Sequence, residues 1–133
     1  MLQTLIDQLL QAACAAATAQ NVPITVTVVD TGGHIRAVLR QEGCSYFALE
    51  SSRLKAVTAS QLRIPSHVAG ELGEKFPALA AAFATNPAVS GLPGGFPVYW
   101  QGQVVGGLGV SGGNFDQDRS IGAAAGAAAA PAQ

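Results

Sequence analysis

A chain of 133 residues, 49% hydrophobic and only 11% charged, has the size of one domain (residues 1–133) with a modest core, yet carries less than half the ~25% charge usual in soluble proteins. Apolar surface must be covered somewhere, and because no apolar run approaches the ~18 residues that span a bilayer, the expectation is a homo-oligomer and no membrane partner. The net charge of −1 and the scatter of the seven basic residues exclude the clustered basic footprint that nucleic acid requires.

Leu2, Leu5, Ile6, Leu9, Leu10, Ala13, Cys14 and Ala17 recur at helical spacing, and Asn21 with Pro23 ends this first helix. Its apolar start lacks a positively charged leader region and contains Asp7, so it reads as a mature amphipathic helix, and the chain as cytoplasmic. Residues 24–30 alternate apolar and polar with β-branched side chains, which predicts a half-buried strand. Thr31-Gly32-Gly33 supplies a tight turn, and residues 34–40 alternate again, completing a hairpin. Residues 41–45 form a loop in which Cys44 is open to exposure. Helical spacing returns over about 46–62, with Phe47, Leu49, Leu54, Val57 and Leu62 among its apolar members, and Pro65 stops it. Residues 66–85 are broken into short helical pieces by Gly70, Gly73 and Pro77, and 86–95 is a loop by composition. Residues 96–100 and 103–110 flank Gln101-Gly102 as a second hairpin. Asp116 or Asp118 can cap a last, alanine-rich helix that ends before Pro131 and frays from about residue 127. Two hairpins and several helices predict an antiparallel sheet with helices packed on it, an α+β arrangement.

Residues 107–112 satisfy G-x-G-x-x-G, but a dinucleotide site needs a following helix, a second parallel strand and an acid ~20 residues on. The chain ends too soon for that. There is no Cys-x-x-Cys and no zinc spacing, so no metal site is predicted. Ser111 lies within Gly109-Val110-Ser111-Gly112-Gly113, but it comes off a strand and has no assigned His or Asp partners, so a hydrolase nucleophile is not expected.

Lys55 lies between Leu54, Ala56 and Val57, where partial desolvation lowers an ammonium pKa and produces a base or nucleophile; the alternative is an ion pair with Glu50 or Asp30. His34 follows two glycines on the polar face of its strand, and His67 reads as a surface residue. Asp30 is either a turn former or a partner in catalysis. Arg40 can clamp a carboxylate. Gly94, Gly95, Gly109, Ser111 and Gly112 frame a candidate ligand surface of bare amides, with close backbone packing as the other explanation of so many strand glycines.

Four segments together carry a resemblance. Val28-Val29-Asp30-Thr31-Gly32-Gly33-His34-Ile35 with Arg40 after it, Lys55-Ala56-Val57-Thr58-Ala59, Gly94-Gly95-Phe96-Pro97-Val98, and residues 106–113 followed by Asp118 are similar, in order, to the motifs of GlcG/HbpS-like proteins, which include the C-terminal domain of PduO. The resemblance implies a profilin-like three-layer α/β/α domain with a five-stranded antiparallel sheet, commonly assembled into oligomers. It also implies a small-ligand-binding role, the ligand being haem or another tetrapyrrole, or a small carbonyl or carboxylate metabolite. A cofactor-free isomerase, lyase or dehydratase with Lys55 or His34 as general base is the alternative, and an accessory subunit without ligand a third. The haem-binding PduO domain uses a first-helix histidine; here that helix has none, and the histidines of the chain are His34 and His67.

Overall fold

The computed structural model describes residues 1–129. Among these, five helices and four strands follow the order α1 (Gln3–Ala19), β1 (Thr25–Asp30), β2 (Ile35–Arg40), α2 (Phe47–Leu62), α3 (Ser66–Lys75), α4 (Pro77–Ala84), β3 (Gly95–Trp100), β4 (Gln103–Ser111) and α5 (Phe115–Ala129). The strands form one antiparallel sheet in the order β2-β1-β4-β3. The expected fifth strand is therefore corrected to a mixed α+β fold with four. The two hairpins supply four strands, and the segment between them is taken up by α2, α3 and α4. The tail expected to fray from about residue 127 is helical as far as Ala129; residues 130–133, with Pro131, lie outside the described residues.

Alternation along the central strands sorts their side chains between two helical layers. Val26, Val28, Leu108 and Val110 pack with Leu5, Ile6 and Leu9 of α1 and Ile121 and Ala125 of α5, making the main core. On the opposite face, Val29 meets Ala56 and Val57 of α2. Strand β1 is thus buried on both faces rather than half-buried. Its threonines are accommodated because each has a partner: Thr25 Oγ1 donates to Cys44 Sγ at 3.3 Å, and the Thr27 and Ser52 hydroxyls lie 2.7 Å apart. Cys44, expected to be open, is buried by this contact, and Cys14 is only half-buried.

Helix α2 turns a different face inward from the one its large apolar residues suggest. Phe47, Leu49 and Leu62 are exposed, while Ala48, Ser51, Ser52, Lys55, Ala56 and Ala59 are buried. The reason lies in β4. A Cβ at Gly107 would strike the Ala56 carbonyl oxygen, and one at Gly109 the Ser52 carbonyl oxygen. Strand backbone and helix backbone approach so closely that only small side chains fit between them.

Both predicted turns form. Gly33 has φ +80° at the first, and Gln101 and Gly102 both have positive φ at the second, as a two-residue hairpin of the primed type needs. Helix α5 is capped by neither Asp116 nor Asp118. Asn114 Oδ1 instead accepts the Gln117 N–H at 2.8 Å, and Gln117 Oε1 accepts the Asn114 N–H at 2.9 Å, a reciprocal capping box.

Candidate functional site

Freed from capping, Asp118 turns into the protein. Its Oδ2 accepts a hydrogen bond from Lys55 Nζ at 3.1 Å, and its Oδ1 accepts the Gly113 N–H at 2.9 Å. Lys55 Nζ also donates to the Val110 carbonyl oxygen at 2.8 Å. Both side chains are almost fully enclosed, 2% and 4% exposed. The expected ion pair of Lys55 with Glu50 or Asp30 is corrected by this contact. Glu50 is held by Arg53 on the helix exterior, and Asp30 lies at the far end of β1.

Burial pushes the Lys55 ammonium below its ordinary value, with the Asp118 charge and hydrogen bond opposing. Burial likewise raises the Asp118 carboxyl, opposed by Lys55 and by the Gly113 N–H. Both shifts follow from taking charge out of water.

A pocket of about 210 Å³ opens beside this pair. Its polar lining includes Ser51, Lys55, Ser111 and Asp118, and Ser111 Oγ donates to Ser51 Oγ at 2.8 Å. Phe47, Leu92 and Phe115 add exposed apolar surface to its wall. Gly112 and Gly113 contribute the strand-to-helix loop. Gly94, with φ +126°, leaves room for the Lys55 chain: a Cβ there would lie 3.2 Å from Lys55 Cδ and from Asp118 Cβ. Gly95 packs on the Lys55 carbonyl, and its N–H donates to Ser66 Oγ at 2.8 Å.

The candidate residues therefore divide. Lys55, Ser111 and Gly112 share the pocket, and Gly94, Gly95 and Gly109 serve it as close-packing positions against Lys55 and α2. Asp30 and His34 stand apart, because Asp30 pairs with Gly106 whereas Thr25 pairs with Ser111. Five steps of strand separate those ends, about 17 Å. Asp30 Oδ1 accepts the N–H groups of Gly32 and His34, each at 2.9 Å, and lies 3.2 Å from His34 Nδ1. Those backbone bonds, that of His34 foremost, hold its carboxyl below the usual range. The His34 side chain is 81% exposed. Arg40 donates to the Cys44 carbonyl at 2.8 Å and stacks 4.4 Å over the Tyr46 ring, so its guanidinium braces the loop before α2.

Of the polar lining, Lys55 and Ser111 were among the candidates, and Ser51 and Asp118 were missed. Ser51 had a readable signal: Ser51, Ser52, Lys55 and Ser60 recur on one helical face among alanines, a face too small and polar for ordinary core. Asp118 closes the fourth of the resembling segments, but nothing local pairs it with Lys55, which it reaches only through the fold.

With this geometry in hand, relatives can be placed. The sequence profile described as "Haem degrading protein HbpS-like" matches residues 3–127. The chain belongs to the HbpS-like family. A 15.0 kDa protein of the dhaT-dhaS intergenic region of Citrobacter freundii is 35% identical over 112 residues, 84% of this chain and 79% of that one. GlcG of Escherichia coli K12 is 35% identical over 91 residues, 68% of this chain and 66% of GlcG. Among solved structures, the PduOC:heme complex superposes with a TM-score of 0.88 at 28% identity, covering 96% of this chain and 94% of PduOC. HbpS superposes with a TM-score of 0.85 at 29% identity, covering 96% and 88%. No helix among the described residues of this HbpS-like chain is long and apolar enough to cross a membrane.

Proposed function

We propose that this HbpS-like chain is a small-ligand-binding subunit, a single domain working as a cytoplasmic homo-oligomer, whose pocket beside Lys55 and Asp118 takes a small carbonyl or carboxylate metabolite. One observation carries the reading: an enclosed ion pair, both members of which line a pocket. Burying such a pair costs several kcal/mol per ion, and well-packed apolar residues of the same volume are often equally or more stabilising. The charges therefore serve the pocket better than they serve the fold. An ammonium with two acceptors retains a third proton for a ligand oxygen, and the Ser51 and Ser111 hydroxyls add a second polar contact. At about 210 Å³ the space is below the ~300–1,000 Å³ of drug-sized sites, which favours a molecule of a few carbons.

Haem, bound by the PduOC neighbour, does not fit these residues. Helix α1 has no histidine, and the exposed His34 is paired with Asp30. His67 packs its ring 5.8 Å from Phe96, and its buried Nδ1 has no hydrogen-bond partner among the described residues. An axial imidazole ordinarily has its second nitrogen anchored by a carbonyl or carboxylate; His67 lacks that anchor, and His34, which has one in Asp30, lies at the far end of β1 from the pocket, so the pocket is not assigned to haem.

A cofactor-free enzyme is the second reading, favoured by the lowered pKa of Lys55, which suits a general base. His34, far from the pocket, drops out of that role. Calorimetric titration with two- to four-carbon aldehydes, 2-oxo acids and 2-hydroxy acids tests the binding reading. Saturable binding that is lost in Ser111→Leu, which fills the pocket, supports it. Heat from no compound in the series would overturn it in favour of an accessory subunit, and an unaltered Soret band on hemin addition is expected throughout.

A further inference from the structure

The arrangement around Lys55 Nζ supports chemistry as well as binding. The nitrogen has two fixed acceptors, the Val110 carbonyl at 2.8 Å and Asp118 Oδ2 at 3.1 Å. A neutral amine donating to both has one tetrahedral position left, and its lone pair occupies it. The residue lines the pocket together with Asp118 and the hydrogen-bonded pair Ser51 and Ser111. Burial drives both ionisable groups toward their uncharged forms. Transfer of the third ammonium proton, the one given to neither acceptor, to a free lone pair of the Asp118 carboxylate yields an amine nucleophile and a carboxylic acid side by side, the two groups that carbonyl addition needs.

We propose that Lys55 captures a small uncharged aldehyde as an imine, with Asp118 moving the protons; this deepens the binding reading above and rests on it. The lone pair of Nζ attacks the carbonyl carbon, forming the C–N bond while the C=O π pair moves to oxygen. Asp118 gives that oxygen a proton, then takes one from the nitrogen. It returns that proton to the hydroxyl, which leaves as water as the C=N bond forms. The proton left on the imine nitrogen then passes to the Asp118 carboxylate, so aldehyde and amine become imine and water, with no change of oxidation state and no further reactant. An aldehyde suits the lining better than a carboxylate does. Lys55 is the basic residue of the pocket and its charge is already matched by Asp118, leaving no free cation for an anion. The apolar Phe47, Leu92 and Phe115 accept a short alkyl chain, and the serine hydroxyls accept or donate to a hydroxyl on it.

The chain has two lysines, and exposed Lys75 provides an internal control. The protein is incubated with propionaldehyde and cyanoborohydride near pH 7, and the propyl group is mapped by mass spectrometry. Lys55 is expected to be alkylated at least about tenfold faster than Lys75, because burial favours its neutral amine and Asp118 moves the protons. Asp118→Asn, judged folded by its circular dichroism, is expected to lose that preference; a preference retained in it overturns the role of Asp118. Equal labelling of the two lysines, with calorimetry still reporting saturable propionaldehyde binding, overturns imine capture and leaves a reversible binding site. Equal labelling with no binding overturns both readings together.

Discussion

Lys55 Nζ and Asp118 Oδ2 lie 3.1 Å apart although 63 positions separate them in the chain. The contact ties α2 to α5 across the end of β4, and both groups are nearly inaccessible to water. A pair of this kind is costly to break and cheap to remove whole, because a lone buried charge loses its counter-charge.

Lys55→Met alone is accordingly expected to destabilise the protein by roughly 3–5 kcal/mol. The double variant Lys55→Met/Asp118→Asn is expected to lie within about 1 kcal/mol of wild type or above it, since Asn retains an acceptor for the Gly113 N–H. The sign follows from the two shifts. The lowered Lys55 value contributes stability above its ordinary 10.5 and loses it as pH falls through the folded value. The raised Asp118 value contributes stability below 3.8 and loses it as pH rises through the folded value. At neutral pH the pair therefore weighs against folding. Urea denaturation of the three proteins at pH 7 checks this; a double variant as unstable as Lys55→Met would show that the charges stabilise the fold.

Asp30 carries an opposite dependence. Its carboxyl is held low by the His34 and Gly32 N–H groups, so its contribution is present above about 3.8 and is lost as pH falls through the lower folded value. Asp30→Ala is expected to lower the denaturation midpoint at pH 6 and to differ less from wild type at pH 2. A constant gap between the two pH values would remove the ionised carboxylate from the turn.

Two glycine substitutions are expected to differ in sign. Gly109→Ala drives a Cβ into the Ser52 carbonyl and to 2.6 Å from the Ala56 nitrogen, backbone atoms that cannot rotate away. It is expected to cost roughly 3 kcal/mol or more. Gly126 lies in α5 with no atom within 4 Å of a built Cβ, so Gly126→Ala is expected to gain up to about 1 kcal/mol. Thermal melts of both variants decide it.

Helix α4 has the sequence PALAAAFA, without a charge, and none of its residues is buried; Phe76 before it is 51% exposed. A helix apolar on every side belongs inside a structure, which favours a second copy of the chain against it. Sedimentation at micromolar concentration is expected to report an assembly in the wild type and a smaller species in Ala81→Glu. A monomeric wild type would refute this assignment of the surface.

Much of the architecture was legible from pattern. Both hairpins follow from β-branched alternation broken at Gly32-Gly33 and Gln101-Gly102, and α1 from a stripe that Leu5, Ile6 and Leu9 make real. Such signals are local: strand and helix periods and turn chemistry act over a few residues. The inward face of α2 was not legible, because its large residues point outward and its orientation is set by the glycines of a strand some fifty positions away. Expecting Asp118 to be a cap was reasonable for an acid in a first helical turn; Asn114 took that place.

The sequence by itself determined the class of fold, the turns and the glycine-rich strand, and singled out Lys55 as a candidate, since each is written in residue type and spacing. Only the tertiary structure decided that Asp118 is the partner of Lys55, that Ser51 and Ser111 join them, and that Asp30 and His34 belong to the opposite end of the sheet. Packing brings distant segments together and strand direction keeps near ones apart, and neither depends on separation along the chain.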